Sequence, residues 1–136
     1  MTPLEYLEAL KERLLTDARV ASFQIIRERA TLTDAHLRAR LKITGDSQLE
    51  FSEYAQSQPG DKMEVVTYSY HWADAQGNLI RRWDNTPHFP YLPNFPHHIH
   101  EGSEAAVVPG QPMSLFAVLD EIARRLSPES NQNQDE

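Results

Sequence analysis

Between Tyr68 and His100 the chain reads Tyr68-Ser69-Tyr70-His71-Trp72, then Arg81-Arg82-Trp83-Asp84-Asn85, then Pro87-His88, then Phe95-Pro96-His97-His98-Ile99-His100. Five of the six histidines and both tryptophans fall within this stretch. Imidazole, with an ordinary pKa of about 6.5, gives and takes protons near neutral pH. Prolines among the histidines hold the rings in place at small entropic cost. Three chemistries fit such a set. In the first, a pair of histidines works as general base and general acid on a phosphoryl group, Arg82 neutralises developing charge, and Asp84 orients an imidazole. In the second, His97, His98, His100 and with them His88 ligate a divalent metal such as zinc. A His-x-His pair on an extended segment points both rings to one side, as metal sites on strands require. In the third, the rings form a polar contact surface for a partner protein.

The bland alternative is a loop packed over a sheet, its rings bonded to backbone carbonyls. For five histidines with an Arg and an Asp between His71 and His100, a functional site is the better expectation. For His36, which stands alone, the bland alternative is better. The row Tyr68, Tyr70 and Trp72 suits sheet packing more than substrate stacking. The row Arg38, Arg40 and Lys42 suits a solvated sheet face. Its meaning changes if it lies near the histidines.

The elements that must position these residues can be read from periodicity. Thr2, Pro3 and Glu5 form a capping-box start, and Leu4, Leu7, Leu10 and Leu14 recur at helical spacing, so a helix is expected over Thr2 to Asp17. Val20 to Leu32 reads as a strand that alternates imperfectly. Leu37 to Ile43 alternates cleanly and predicts a half-buried strand. Turn signals at Gly45-Asp46-Ser47 and at Gln58-Pro59-Gly60-Asp61 bracket a further strand that starts near Leu49. Val65 to Trp72 is the strongest strand, with Val66, Tyr68, Tyr70 and Trp72 on one face. Leu79 to Trp83 returns antiparallel after the turn at Ala75–Asn78. Four prolines from Asn85 to Pro96 forbid regular structure there. Ala105–Val108 suits a short edge strand, and Ser114 to Leu126 a second helix. The expected fold is α+β: a mainly antiparallel meander of about five strands with an N-terminal and a C-terminal helix. Residues 1–126 are expected to form a single domain, followed by a disordered polar tail over 127–136. The apolar helix faces suit a core or a homodimer interface equally.

The totals set outer bounds. The chain has 136 residues, enough to bury a sizeable core without a disulfide or structural metal. It has no cysteine, which removes thiolate metal sites and a Cys nucleophile and agrees with a cytoplasmic address. No apolar run approaches the roughly 20 residues that span a bilayer. Net charge is -7, which excludes nucleic-acid binding by bulk attraction. The charge is uneven, however. Residues 19–44 carry Arg19, Arg27, Arg29, Arg38, Arg40 and Lys42 against only Glu28 and Asp34.

The pair of segments Arg82-Trp83-Asp84-Asn85-x-Pro87-His88 and Phe95-Pro96-His97-His98-x-His100, preceded by Tyr70-His71-Trp72 and Gly77, resembles the TumE-like toxin family of prokaryotic toxin–antitoxin systems. The motif covers the second half of the chain. The resemblance implies a small cytoplasmic toxin and a neighbouring gene for a neutralising antitoxin protein. The polar motif positions it carries over are Arg82, Asp84, Asn85, His88, His97, His98 and His100. The family usually has Pro-His-His after the Asn, and here the second His is replaced by Phe89. By class analogy, such toxins act on RNA or translation, so ribonuclease activity is the specific expectation. On that reading Arg82, Asp84, His88, His97, His98 and His100 carry the reaction, and His97, His98 and His100 are the candidate metal ligands. Two alternatives stay open: a non-catalytic protein-binding module that uses the histidine-rich loop, and a metal-dependent hydrolase.

Overall fold

The computed structural model describes residues 1–127. The expected tail therefore lies outside the described residues except for Ser127. Helix α1 (Pro3–Thr16) starts on the capping box: Glu5 N donates to Thr2 Oγ1 at 3.1 Å, and Thr2 N donates to Glu5 Oε1 at 2.8 Å. It buries Tyr6, Leu7, Leu10 and Leu14. Seven strands follow: β1 (Val20–Ala30), β2 (Asp34–Ile43), β3 (Ser47–Gln58), β4 (Lys62–Ala73), β5 (Leu79–Asp84), β6 (His98–Glu101) and β7 (Val107–Pro109). Helix α2 (Leu115–Leu126) ends the described chain, with Ser114 as its cap. Every strand pairs antiparallel with its sequence neighbour, so the sheet order is β1-β2-β3-β4-β5-β6-β7.

The α+β meander with flanking helices is as expected, but the sheet has seven strands and not about five. The missed strand is His98–Glu101, which begins directly after the prolines end and pairs on both sides. Without it the outer backbone edge of Leu79–Asp84 would lack partners, a cost that buried strands do not bear. The edge strand foreseen at Ala105–Val108 forms slightly later, at Val107–Pro109.

Imperfect alternation in β1 has a structural cause. Register shifts fall between Val20 and Ser22 and between Ile25 and Arg27. Each inserts a residue and changes which parity faces inward. A third shift, opposite Tyr54 and Ala55, sets Val65 on the core side and leaves Val66 exposed. Val66 thus departs from the face shared by Tyr68, Tyr70 and Trp72.

Both helices cover one face of the sheet. That face carries Leu37, Ala39, Leu41 and Ile43 from β2, Leu49, Phe51 and Ala55 from β3, Tyr68, Tyr70 and Trp72 from β4, and Trp83 from β5. Leu115, Val118, Leu119 and Ile122 of α2 complete the core. Its one buried carboxylate is Glu53, 1% exposed. Glu53 accepts from Tyr70 Oη at 2.6 Å, from Tyr6 Oη of α1, and from the Leu115 N–H that opens α2 at 2.8 Å. One side chain thereby ties both helices to the sheet, and burial raises its pKa against the lowering effect of these three donors. A second tie is Arg81, which pairs with Glu121 of α2 at 2.5 Å and with Glu101 of β6. Its guanidinium lies 5.6 Å from the Trp83 ring centroid.

Candidate functional site

Among the described residues, the opposite face of the sheet carries no helix. Residues alternate along a strand, so every position between the core positions points here. Cross-strand partners share a face, and the register assembles the surface row by row. Arg38 stands beside Ser52, Ser52 beside Ser69, and Ser69 beside Asp84. In the next row Arg40 stands beside Glu50, Glu50 beside His71, His71 beside Arg82, and Arg82 beside His100. Asp84 in turn pairs with His98. Residues more than sixty positions apart in the chain thus share a few strand widths.

These rows enclose a groove of about 290 Å³ lined by Arg38, Glu50, Ser52, Ser69, His71, Arg82 and Asp84, with Phe51 beneath. Two further hollows adjoin it at Ser52. One reaches Arg27, Arg29, His36, Tyr54 and Thr67, and another follows Thr67 and Ser69 to Asn85, Thr86 and Pro87. The basic row of β2 therefore does lie beside the histidine-bearing strands. Burial pushes the Glu50 carboxyl up, but hydrogen bonds and charges from Arg38 and Arg40 outweigh it and hold Glu50 below the ordinary carboxylate range. His36 bonds Ser52 Oγ through Nε2 at 2.9 Å. Burial and then the charges of Arg27, Arg29 and Arg38 lower its pKa.

At the β5–β6 end, Asp84, His98 and His100 converge and are all buried, with candidate ligand atoms within 4.8 Å of one another. His98 Nδ1 lies 2.9 Å from Pro96 O, and His100 Nδ1 lies 2.9 Å from Glu104 O. A carbonyl can only accept, so each Nδ1 carries a proton, and in the neutral ring the lone pair is then on Nε2. Asp84 Oδ1 accepts from Thr86 N and Thr86 Oγ1, both at 2.7 Å. Asp84 Oδ2 faces Arg82 Nε at 3.5 Å, while Arg82 Nη1 donates to Glu104 at 2.6 Å. The proline-rich loop, turned by the positive φ of Phe89 and Asn94, brings Phe89 back over these rings. Phe89 meets His98 edge-on at 5.1 Å and His100 at 6.1 Å. Phe89 is therefore the cover of this cluster.

The other two predicted histidines are placed elsewhere. His97 lies on the helix-covered side, where its Nδ1 meets Tyr68 Oη at 2.8 Å and its ring stacks on Tyr68. Burial and the neighbouring His98 lower its pKa. His88 is exposed near the start of the loop and touches Phe89 edge-on. Asn85 does structural work: its Oδ1 accepts from Tyr68 N and its Nδ2 donates to Val66 O, each at 2.9 Å. Sequence reasoning singled out Arg82, Asp84, His98 and His100 but gave no role to His71, Glu50, Ser52 or Ser69. Alternation alone could have found His71, since it shares parity with Ser69 on a strand whose other face is aromatic. Nothing in the sequence pairs Glu50 with it.

No helix among the described residues is long and apolar enough to cross a membrane. No curated protein and no solved structure matches the chain. A family model does, that of Toxin TumE, over residues 8–126. The match runs from α1 through the whole sheet to the last residue of α2, and so includes both the histidine cluster and the groove. On that extent of agreement, this chain belongs to the Toxin TumE family.

Proposed function

We propose that the protein is the toxin of a toxin–antitoxin pair and that it cleaves RNA in the groove of the open sheet face. One observation carries this reading. The uncovered face gathers Arg27, Arg29, Arg38 and Arg82 along two hollows that meet at Ser52, with Arg40 beside Glu50, and the same hollows hold the imidazoles of His36 and His71 and two carboxylates. The net charge of -7 is a property of the whole chain and does not describe this face. A basic groove of this kind follows a phosphate backbone.

The reaction that suits these groups is attack of a ribose 2′-oxygen on the adjacent phosphorus. The Glu50 carboxylate, kept ionised by Arg38 and Arg40, takes the 2′-hydroxyl proton. The P–O5′ bond breaks, and protonated His71 gives its proton to the leaving 5′-oxygen. Arg38 and Arg82 stabilise the extra negative charge on the phosphoryl oxygens. Asp84 holds Arg82 toward the groove. His98 and His100 stand behind Asp84, and His88 and His97 take no proton-transfer role in this scheme. An antitoxin protein would neutralise the toxin by covering this face.

The test is induced expression in a bacterial host, alone and with the neighbouring gene. Arrest and RNA breakage should occur with the wild-type chain, be relieved by the neighbour, and disappear in Arg82→Ala and His71→Ala variants that retain the wild-type circular dichroism. Full toxicity in both variants would remove the assignment.

A further inference from the structure

We infer that Asp84, His98 and His100 form a binding site for a divalent transition metal, with zinc the best match. Three independent features meet there. First, the donor set is two imidazoles and one carboxylate, all buried, with candidate ligand atoms within 4.8 Å of each other. Tetrahedral zinc holds its ligand atoms roughly 3.4 Å apart, a separation that small rotations of these side chains reach. Second, the tautomers are set for ligation. Pro96 O and Glu104 O each take the Nδ1 proton, which leaves both Nε2 atoms directed away from those carbonyls. Carbonyl groups behind the imidazoles are the outer partners that metal-binding histidines use. Third, Asp84 keeps one oxygen without a hydrogen bond, its contact being an ion pair. Thr86 saturates Oδ1, and Oδ2 has only the 3.5 Å approach of Arg82 Nε, a buried nitrogen with no hydrogen bond of its own.

Strand geometry explains the convergence. His98 and His100 are two apart on β6 and share a face, and Asp84 is the direct partner of His98 on β5. The ring centroids of the two histidines are 5.1 Å apart at 75°, so the rings are not stacked. Phe89 meets both rings edge-on from the loop side. Three protein ligands leave a fourth position, as in catalytic and not purely structural zinc sites. Asp84 and Glu104, whose carboxylate lies 3.7 Å from His100 Nδ1, offset part of the positive charge of Arg82 and a divalent ion. His97, two atoms of backbone away from the group in sequence, is not part of it, because its ring is held by Tyr68 on the other side of the sheet.

The site borders the proposed RNA groove through Asp84, which lines both. The metal proposal does not depend on RNA cleavage and is tested apart from it. The full chain is purified without chelator, dialysed against micromolar zinc, and its metal content measured. Cobalt is then used as a spectroscopic probe. One zinc per chain is expected, with visible cobalt bands typical of a four- or five-coordinate nitrogen and oxygen site. His98→Ala, His100→Ala and Asp84→Asn should each weaken binding at least tenfold, while His97→Ala should bind as wild type. Circular dichroism and the unfolding midpoint without metal show which variants fold. His98→Gln, closer in size, serves where His98→Ala does not. Zinc should raise the unfolding midpoint of the wild type and not of the Asp84→Asn variant. Absence of stoichiometric zinc, or binding that persists in folded His98 and His100 variants, overturns the site. Zinc binding together with full toxicity of His71→Ala and Arg82→Ala would leave the site standing and remove the ribonuclease reading.

Discussion

The two faces of this sheet use the same residue types for opposite ends. Arg81 and Arg82 are neighbours, yet Arg81 is locked against Glu121, Glu101 and Trp83 on the helix side, and Arg82 lines the groove. His97 and His98 are neighbours, yet His97 stacks on Tyr68 beneath the sheet and His98 joins Asp84 above it. Glu53 and Glu50 lie on one strand. The first is buried among tyrosines and a helix terminus, while the second is paired with surface arginines. Residue type supplies the chemistry in each pair, and parity along the strand decides whether it serves stability or the groove. Cutting a helix-face member should therefore change folding, and cutting an open-face member should change activity alone.

The largest effect expected on the open face is from Arg82→Ala, which should lower RNA cleavage by about a hundredfold or more with little change in stability. A cleavage assay beside a denaturant melt checks both halves of that statement. On the helix face, Glu53→Leu should cost about 3 kcal/mol or more, because Tyr6 Oη, Tyr70 Oη and the Leu115 N–H all lose their acceptor in the core. A urea midpoint unchanged by this variant would show that the three donors find other partners. Arg38→Ala should weaken RNA binding roughly tenfold and flatten its salt dependence, which a titration at two ionic strengths would detect.

The smallest contrast is in pH. Burial, with the charge of Glu53 added, holds the Tyr6 and Tyr70 phenols well above their ordinary value. Their contribution to stability is present below about pH 10, the pKa of an unfolded tyrosine. It is lost as pH rises above that value, because only the unfolded chain then releases the proton. Stability measured from pH 8 to 11 should fall only toward the alkaline end, and Tyr70→Phe should fall less steeply. An equal decline in both would place the alkaline sensitivity elsewhere.

Much of the fold could be read from the residues because one face is dry. Leu37, Ala39, Leu41 and Ile43 alternate with Arg38, Arg40 and Lys42, and a strand with one face under helices leaves that trace. The caps Thr2 and Ser114 marked both helices. Val20–Ala30 was blurred by its two bulges, which reverse parity midway. His98–Glu101 escaped because its buried residues are histidines, and imidazoles at alternate positions do not register as an apolar period. Arg82, Asp84, His98 and His100 could be named from composition, but their grouping could not. Separating His98 from His97 needs the phase of β6 against β5, which is set by hydrogen bonding and not by local sequence. Glu50 and Arg38 reach the groove through register with strands far along the chain.

The unbroken neighbour-to-neighbour order of the strands also bears on how the molecule is made. Each strand can pair with the one just synthesised, so most long-range closure is avoided and the sheet can grow in the order of translation. Helix α2 comes after every strand, and it alone provides the Leu115 N–H to Glu53 and the Glu121 carboxylate to Arg81 and Trp83. The groove residues thus leave the ribosome before the support behind them. The nascent sheet has its open face complete while α1 alone covers its apolar side, and the core closes only when that last helix docks.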